Sequence, residues 1–455
     1  MERKQTIIFF LMAAALLITG QSIAFSFWGV HENNRLVHKA SLSVDENNNN
    51  IITAQLSTGS SNNTFQVLPD PSPPSISDPN IRVEKVITGL ESPTSMAFLD
   101  SDDIIILEKG NGRVRLVSNG ILQPQPILQV PVVNNSERGL LGVAIANTTT
   151  SSTTKTVFLY YTEPVGDQVK NRIYRYELNE TGNMTGGQLI LDLPGEPGPN
   201  HDGGKIGIGP DRMLYAVIGD LNKDGMLQNV REGPPPDGSS VIIRIDYDGN
   251  GVGNLLSGGA ADLSKYYAYG VRNSFGFDFD PLTGILWDTE NGPAEYDEIN
   301  IVLPGFNSGW NIVMGPIGRE GITPQDLVQF QGSHYADPVF SWFQSQGVTD
   351  LEIFNSSSLG ERYTYNMFVG DYNNGNLYFF TINSNRTGLN LGGIAGLEDL
   401  VADNNEELNA VIFGRGFAGG ITDIETGPDG YLYILTLSGD LYRIVPGAPP
   451  APTIL

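Results

Sequence analysis

From Ile81 onward the chain keeps returning to one pattern: strand, Pro/Asp/Gly turn, apolar strand, second turn, amphipathic strand. One copy runs Ser95–Leu99, Asp100–Asp102, Ile104–Glu108, Gly110–Gly112 and Val114–Val117. A second runs Lys205–Ile208, Gly209–Asp211 and Leu214–Ile218, closed by Val241–Ile245. The clearest runs Ile421–Glu425, Gly427–Gly430, Tyr431–Leu435, Ser438–Asp440 and Leu441–Ile444. Weaker copies lie at 139–178, 275–302 and 367–382, about six in all, with almost no helical periodicity. Units of three or four strands that cannot cover both faces alone must stack on their neighbours. The fold class expected is therefore all-β, a six-bladed β-propeller over residues 81–446, with a tail at 447–455. Blades packed on one another leave only short edges, and the loops at one mouth bring distant residues together.

Composition narrows the partners. Fifty-four glycines and 28 prolines supply the turns, and 40% apolar residues supply the core. A net charge of −25 argues against nucleic acid and anionic membrane surfaces. Without cysteine there is no disulfide, no thiolate nucleophile and no thiolate-bound metal.

The first 30 residues have the form of an export signal or an N-terminal membrane anchor: Arg3 and Lys4, an apolar run from Ile7, then Ser22-Ile23-Ala24. The apolar character continues through Phe25, Phe27, Trp28 and Val30, so cleavage and membrane attachment both stay open. Residues 31–80 are low in complexity, with Asn47–Asn50 and Asp70-Pro71-Ser72-Pro73-Pro74, and read as a flexible spacer. Sequons at Asn134, Asn147, Asn179, Asn183, Asn355 and Asn385 permit glycosylation outside the cytoplasm.

Two stretches carry candidate chemistry. Pro199-Asn200-His201-Asp202-Gly203-Gly204-Lys205 sets one of four histidines between a Pro-rich loop and a strand. A neutral imidazole there is a natural general base, and the paired glycines admit another backbone or a flat ligand. Asp220-Leu221-Asn222-Lys223-Asp224-Gly225 opens like a calcium loop, with Asp220, Asn222 and Asp224 as ligands. Its twelfth position is Arg231 rather than glutamate, which excludes an EF-hand and leaves a calcium-binding turn.

Other motifs follow in order. They are Glu137-Arg138-Gly139-Leu140-Leu141-Gly142, Tyr269-Gly270-Val271-Arg272-Asn273-Ser274-Phe275-Gly276, Glu290-Asn291-Gly292-Pro293 through Asp297-Glu298-Ile299-Asn300, and Asn307-Ser308-Gly309-Trp310-Asn311. With the His201 loop, this ordered set resembles the soluble quinoprotein glucose dehydrogenases, the glucose/sorbosone or aldose sugar dehydrogenase family. The resemblance implies a sugar oxidation that uses Ca²⁺ and pyrroloquinoline quinone (PQQ), with an external electron acceptor. It makes His201 the base for the sugar hydroxyl, Arg272 and Asn273 cofactor contacts, and Glu137 and Asn200 substrate contacts. The carbonyls of Gly292 and Pro293 would hold the catalytic Ca²⁺, and Glu298 would belong to a further calcium site.

The chain also departs from the family. Where family members place a lysine and two arginines against the carboxylates of PQQ, this sequence has Asn373, Gly420 and Thr422. Burying three carboxylates without cations is costly, so these departures weaken PQQ; Arg415 and Lys205 are the candidates to replace the charge. Two alternatives follow: a calcium-stabilised propeller that binds carbohydrate or protein without redox activity, and a hydrolytic enzyme in which His201, Ca²⁺ and Asp220 activate water.

Overall fold

The computed structural model describes residues 26–31, 35–44, 52–58, 61–67 and 73–447, apart from 147–153, 181, 254 and 258–262. The export or anchor segment up to residue 25, the Asn147 sequon and the 448–455 tail lie outside the described residues. Among the described residues no helix is long and apolar enough to cross a membrane. The chain divides into two compact units, Met1–Ser72 and Pro73–Leu455.

The first unit contains four strands, Ser26–His31, Arg35–Val44, Ile52–Thr58 and Ser61–Val67, paired in sequence order as an antiparallel meander. Composition alone reads this stretch as a flexible spacer. The strands show that it includes regular backbone pairing, which Asn, Ser and Thr side chains do not prevent.

The second unit is the propeller expected from the repeats. Its strands form sheets in chain order, beginning at Pro93–Phe98, Leu140–Ala146, Ile206–Ile208, Gly276–Phe279, Val348–Ile353 and Ile421–Thr426. Each of these first strands pairs antiparallel with the next strand of its own sheet. They also touch one another in series, and Ile421–Thr426 returns to Pro93–Phe98. Gly207 and Phe277 join the third and fourth sheets so closely that a Cβ on Gly207 would sit 3.0 Å from the ring.

Ile81–Ile87 completes the last sheet by pairing with Leu441–Pro446, so the two ends of the unit close on each other through a hydrogen-bonded ladder. The fold starts earlier than the expected residue 81. Ser75–Ile76 pairs with Ile412–Arg415, and the Tyr363 hydroxyl donates to Asp78 at 2.5 Å. Backbone pairing by two residues leaves no compositional trace.

Each core lies between neighbouring sheets. Ile105, Leu107 and Val114 of the first meet Val157, Leu159 and Tyr161 of the second. Trp287 and Trp342 of the fourth meet Val369 and Tyr378 of the fifth. Burying each such side chain contributes roughly 1.5–3 kcal/mol, which explains why the apolar strands of the repeats face inward on both sides. Loops that precede first strands hold Glu137, His201 and Arg272-Asn273, and loops after later strands hold Asp220, Gly292-Pro293 and Trp310.

Candidate active site

His201 sits five residues before the strand Ile206–Ile208, in the left-handed backbone region at φ 66° and only 8% exposed. A non-glycine residue in that region marks a local conformation that its surroundings must hold. The two glycines after it do the holding. A Cβ on Gly203 would lie 2.5 Å from the Val217 carbonyl oxygen, and one on Gly204 would lie 2.5 Å from Leu141 Cβ. Of the two uses open to these glycines, close approach of protein is the one observed.

The imidazole is tied from one side. Its Nδ1 meets Asp220 Oδ1, and the other oxygen, Oδ2, accepts from Trp310 Nε1 at 2.8 Å. A carboxylate at Nδ1 fixes the proton there, and Nε2 is left as the basic nitrogen. Asp220 is itself fixed: its N–H donates to the Arg272 carbonyl at 2.9 Å, and its Oδ1 accepts from Asn222 N–H at 2.9 Å. With both oxygens occupied, Asp220 partners His201 instead of heading a calcium loop. Asn222 Oδ1 accepts from Asn200 N–H at 3.3 Å, while Asp224 Oδ1 accepts from Asn311 Nδ2 at 3.1 Å. The three expected ligands therefore serve three different bonds. The Asp-x-Asn-x-Asp-Gly spacing is a turn signal here, and side-chain direction, invisible in spacing, decides its use.

The other motifs converge on the same place. Glu137 Oε2 accepts from the His201 N–H at 2.5 Å and from Asn273 Nδ2 at 3.2 Å, so one carboxylate joins three sheets' loops. Asn200 lies beside it, its Oδ1 bonded by the Ser136 hydroxyl. The Arg272 guanidinium stacks over Trp310 at 5.2 Å and donates to the Asn291 carbonyl at 2.7 Å, next to Gly292-Pro293. Arg272 Nε and Asn273 Oδ1 are buried yet have no hydrogen-bond partner, two polar atoms that a ligand at the mouth would satisfy.

Sequence reasoning missed Asp297 as an organising residue. This fully buried carboxylate accepts from Gly292 N–H at 3.0 Å and from the Ser345 hydroxyl at 2.5 Å. It also accepts from the N–H groups of Gln346, Gly347 and Val348 at 2.7, 2.7 and 3.3 Å. It thus fixes the Gly292-Pro293 turn to the loop that starts the fifth sheet. No spacing rule announces such a role; only the Asp-Glu pair within the motif hints at it.

Behind that turn, Glu298 faces Glu290 across the strand pair, with Asp288 opposite Asn300. All three carboxylates are nearly fully buried. Glu290 takes the Arg272 N–H and the Ser308 hydroxyl, both at 2.6 Å, and burial pushes it up to about 7. Burial and the Glu290 charge push Asp288 and Glu298 up as well. Both oxygens of Asp288 lack partners. Buried oxygens with unmet bonding, here among the three carboxylates those of Asp288 alone, are the donor chemistry of a hard divalent cation, whereas Glu298 already accepts from the Gly315 N–H and from Asn300 Nδ2. Even so, among the described residues no three His, Asp or Glu side chains are already grouped at metal-binding distances.

The cations proposed to replace the missing family charges are engaged elsewhere. Lys205 Nζ sits 2.8 Å from both Asp350 Oδ2 and Asp423 Oδ1, in the interior. Arg415 is exposed and donates to Asn409 Oδ1 at 2.5 Å. Asn373 is exposed and uncharged; Thr422 bonds the Leu435 carbonyl at 3.3 Å; a Cβ on Gly420 would strike Tyr372 O at 2.2 Å. The mouth therefore fits PQQ at Arg272 and Asn273 and lacks the charges expected for its carboxylates.

The fold has counterparts. Residues 90–443 match the glucose/sorbosone dehydrogenase family. The aldose sugar dehydrogenase of Escherichia coli K12 is 26% identical over 80% of this chain and 93% of its own length. Quinoprotein glucose dehydrogenase B of Acinetobacter calcoaceticus is 26% identical over 52% of this chain and 53% of its own. The PQQ-bound aldose sugar dehydrogenase of Streptomyces coelicolor superposes with a TM-score of 0.60, covering 83% of this chain and 99% of its own, and at 22% identity that likeness speaks to the fold. The chain belongs to the glucose/sorbosone dehydrogenase family, oxidoreductases built on an all-β propeller.

Proposed function

We propose that this chain is an exported aldose dehydrogenase in which His201 removes the proton of a sugar hydroxyl. The observation that carries this reading is the His201–Asp220–Trp310 chain standing beside Arg272 and Asn273. Asp220 holds the imidazole in the tautomer that leaves Nε2 basic and stabilises the imidazolium once the proton arrives. Glu137 fixes the His201 backbone and Asn273 together, and with Asn200 it borders the space a sugar would occupy. PQQ, when bound, would supply the two-electron acceptor for the hydride, with Arg272 and Asn273 holding it; an external acceptor would then reoxidise it. Two calcium roles accompany it: the Gly292-Pro293 carbonyls, kept in place by Asp297, and the Glu298 cluster with Asp288 and Glu290.

The sheets that begin at Pro93, Leu140, Ile206, Gly276, Val348 and Ile421 are, in this reading, the six blades of one ring. The positive flank and apolar run before residue 25 support export. A second reading, a calcium-stabilised propeller that binds carbohydrate or protein without turnover, is favoured by the uncharged Asn373, Gly420 and Thr422 and by the engagement of Lys205. The test is dye reduction by purified protein supplied with Ca²⁺, PQQ and a panel of aldoses, beside His201→Ala. The first reading expects sugar-dependent reduction that falls by about 10²–10⁴-fold in the variant; the second expects none in the parent.

A further inference from the structure

Besides Arg272, a second cation stands at the mouth without a counterion. Asp103–Glu108 is the second strand of the first sheet, and its last residue pairs with Pro93, where the first strand begins. Lys109, the next residue, is therefore at the mouth end of that sheet. Its N–H donates to the Ser92 carbonyl at 3.1 Å, and its carbonyl accepts the Leu140 N–H at 3.0 Å, which fixes its backbone between the first and second sheets. Its stem lies against Gly139, where a Cβ would come within 2.6 Å of Lys109 Cγ. The ammonium reaches the loop before Leu140 and donates to the Ser136 carbonyl at 2.6 Å.

That loop borders the space proposed for the sugar. The Ser136 hydroxyl bonds Asn200 Oδ1, and Glu137, the next residue, holds the His201 N–H. An ammonium has three N–H donors, and the Ser136 carbonyl takes one of them. Among the described residues no carboxylate pairs with Lys109. The carboxylates around it are committed: Glu137 to His201 and Asn273, Asp202 to Asn171 at 2.8 Å, and Glu108 to Arg115 at 2.9 Å. Burial holds the ammonium below the ordinary lysine range, and Glu137 and Asp202 offset this only in part. A half-buried cation with donors to spare, on the sugar side of the site, is built to meet an anion.

We propose that Lys109 recognises the carboxylate of an acidic sugar, which makes a uronic acid, an aldose with a carboxylate at its far end, the substrate class of this mouth. The substrate class rests on the function proposed above; the carboxylate site rests on Lys109 alone. Asn200 and Glu137 meet the sugar hydroxyls, and the free N–H groups of Lys109 meet the carboxylate, which binds and takes no part in the chemistry.

Fluorescence titration of the full chain with glucose and with glucuronate, in Ca²⁺ and without PQQ, tests this without turnover. Trp310, bonded to Asp220, is the reporter. Glucuronate is expected to bind about tenfold tighter than glucose, as one charge-assisted contact supplies. Lys109→Met keeps the stem against Gly139 and is expected to abolish that preference while glucose binds as before; Lys109→Arg keeps it. In the parent, the preference should also shrink about threefold or more between about 50 and 500 mM salt, a check that needs no variant. Glucuronate that binds no tighter than glucose, or a preference that survives Lys109→Met or is indifferent to salt, overturns the proposal. If the preference survives Lys109→Met while PQQ binding by absorbance titration falls, the ammonium serves a carboxylate of the cofactor instead. A glucuronate preference in a protein that oxidises neither sugar sustains the carboxylate site and removes the dehydrogenase reading, so the two failures are distinguishable.

Discussion

Replacing Lys205 by methionine removes one charge and keeps most of the side chain's packing, which makes it a clean probe of the interior. Lys205 Nζ is 2.8 Å from Asp350 Oδ2, 2.8 Å from Asp423 Oδ1 and 3.5 Å from Glu425 Oε1. Asp350 and Asp423 are 0% and 1% exposed. Asp423 also accepts the Met96 N–H at 2.6 Å and Asp350 the Ile424 N–H at 3.0 Å, so the cluster ties the first, third, fifth and sixth sheets together. Removing one partner of a buried ion pair costs about 3–5 kcal/mol, because the remaining charge is left without water or counterion.

The loss has a defined pH dependence. Burial pushes the Asp350 carboxyl up, so the folded chain holds its proton more tightly than the unfolded chain does. That contribution to stability is full below the unfolded carboxylate range and disappears as pH rises through the folded value. Taking Lys205 away raises the folded value further. The variant's deficit is therefore greatest on the alkaline side and shrinks in acid, where a protonated carboxyl needs no cation. Denaturant unfolding of both proteins at pH 5, 6.5 and 8 measures it. A deficit of about 3–5 kcal/mol at pH 8 that at least halves by pH 5 is expected. A deficit that is negligible at pH 8, or one that grows toward pH 5, refutes the reasoning.

Three further outcomes follow from the site. Asp220→Asn keeps the shape but weakens the hold on Nδ1–H, and kcat for sugar oxidation should fall by about 10²-fold or more while the unfolding midpoint changes little; an unchanged kcat contradicts the tautomer argument. Asp288→Asn removes a buried carboxylate whose oxygens have no partners, so the calcium-free protein should become more stable and the stabilisation by added Ca²⁺ smaller, both read by thermal unfolding with and without chelator. Asn373→Lys with Thr422→Arg restores charge at the mouth, and PQQ should bind about tenfold tighter or more by absorbance titration; equal binding means the missing cations never mattered.

What was legible in one dimension, and what was not, divides along physical lines. Turn residues and apolar alternation act locally, so the strand units at Ser95, Lys205 and Ile421 could be read directly, and with them the propeller. The convergence of Glu137, His201, Arg272 and Asn273 followed from each standing just before a sheet's first strand. Side-chain direction is not local in this way. Asp220 and Asn222 have calcium-loop spacing, yet one turns to His201 and the other to Asn200. Lys205 adjoins the His201 motif, yet its ammonium is drawn to Asp350, 145 residues away. Asp297 gains its role from the Ser345–Val348 loop, which no residue near it in sequence foretells. The strands between Ser26 and Val67 also escaped, since Asn-rich, Ser-rich composition looks the same paired or unpaired.

The central claim is that His201, oriented by Asp220, is the base of a PQQ-linked aldose oxidation. Single-turnover reduction of stoichiometric PQQ by an aldose, in the presence of Ca²⁺ and in the parent and His201→Ala proteins, tests it most directly. The account expects the cofactor spectrum to change on sugar addition in the parent, at a rate about 10²–10⁴ times that of the variant. Equal rates in the two proteins, or no change in the parent at saturating PQQ, would contradict it.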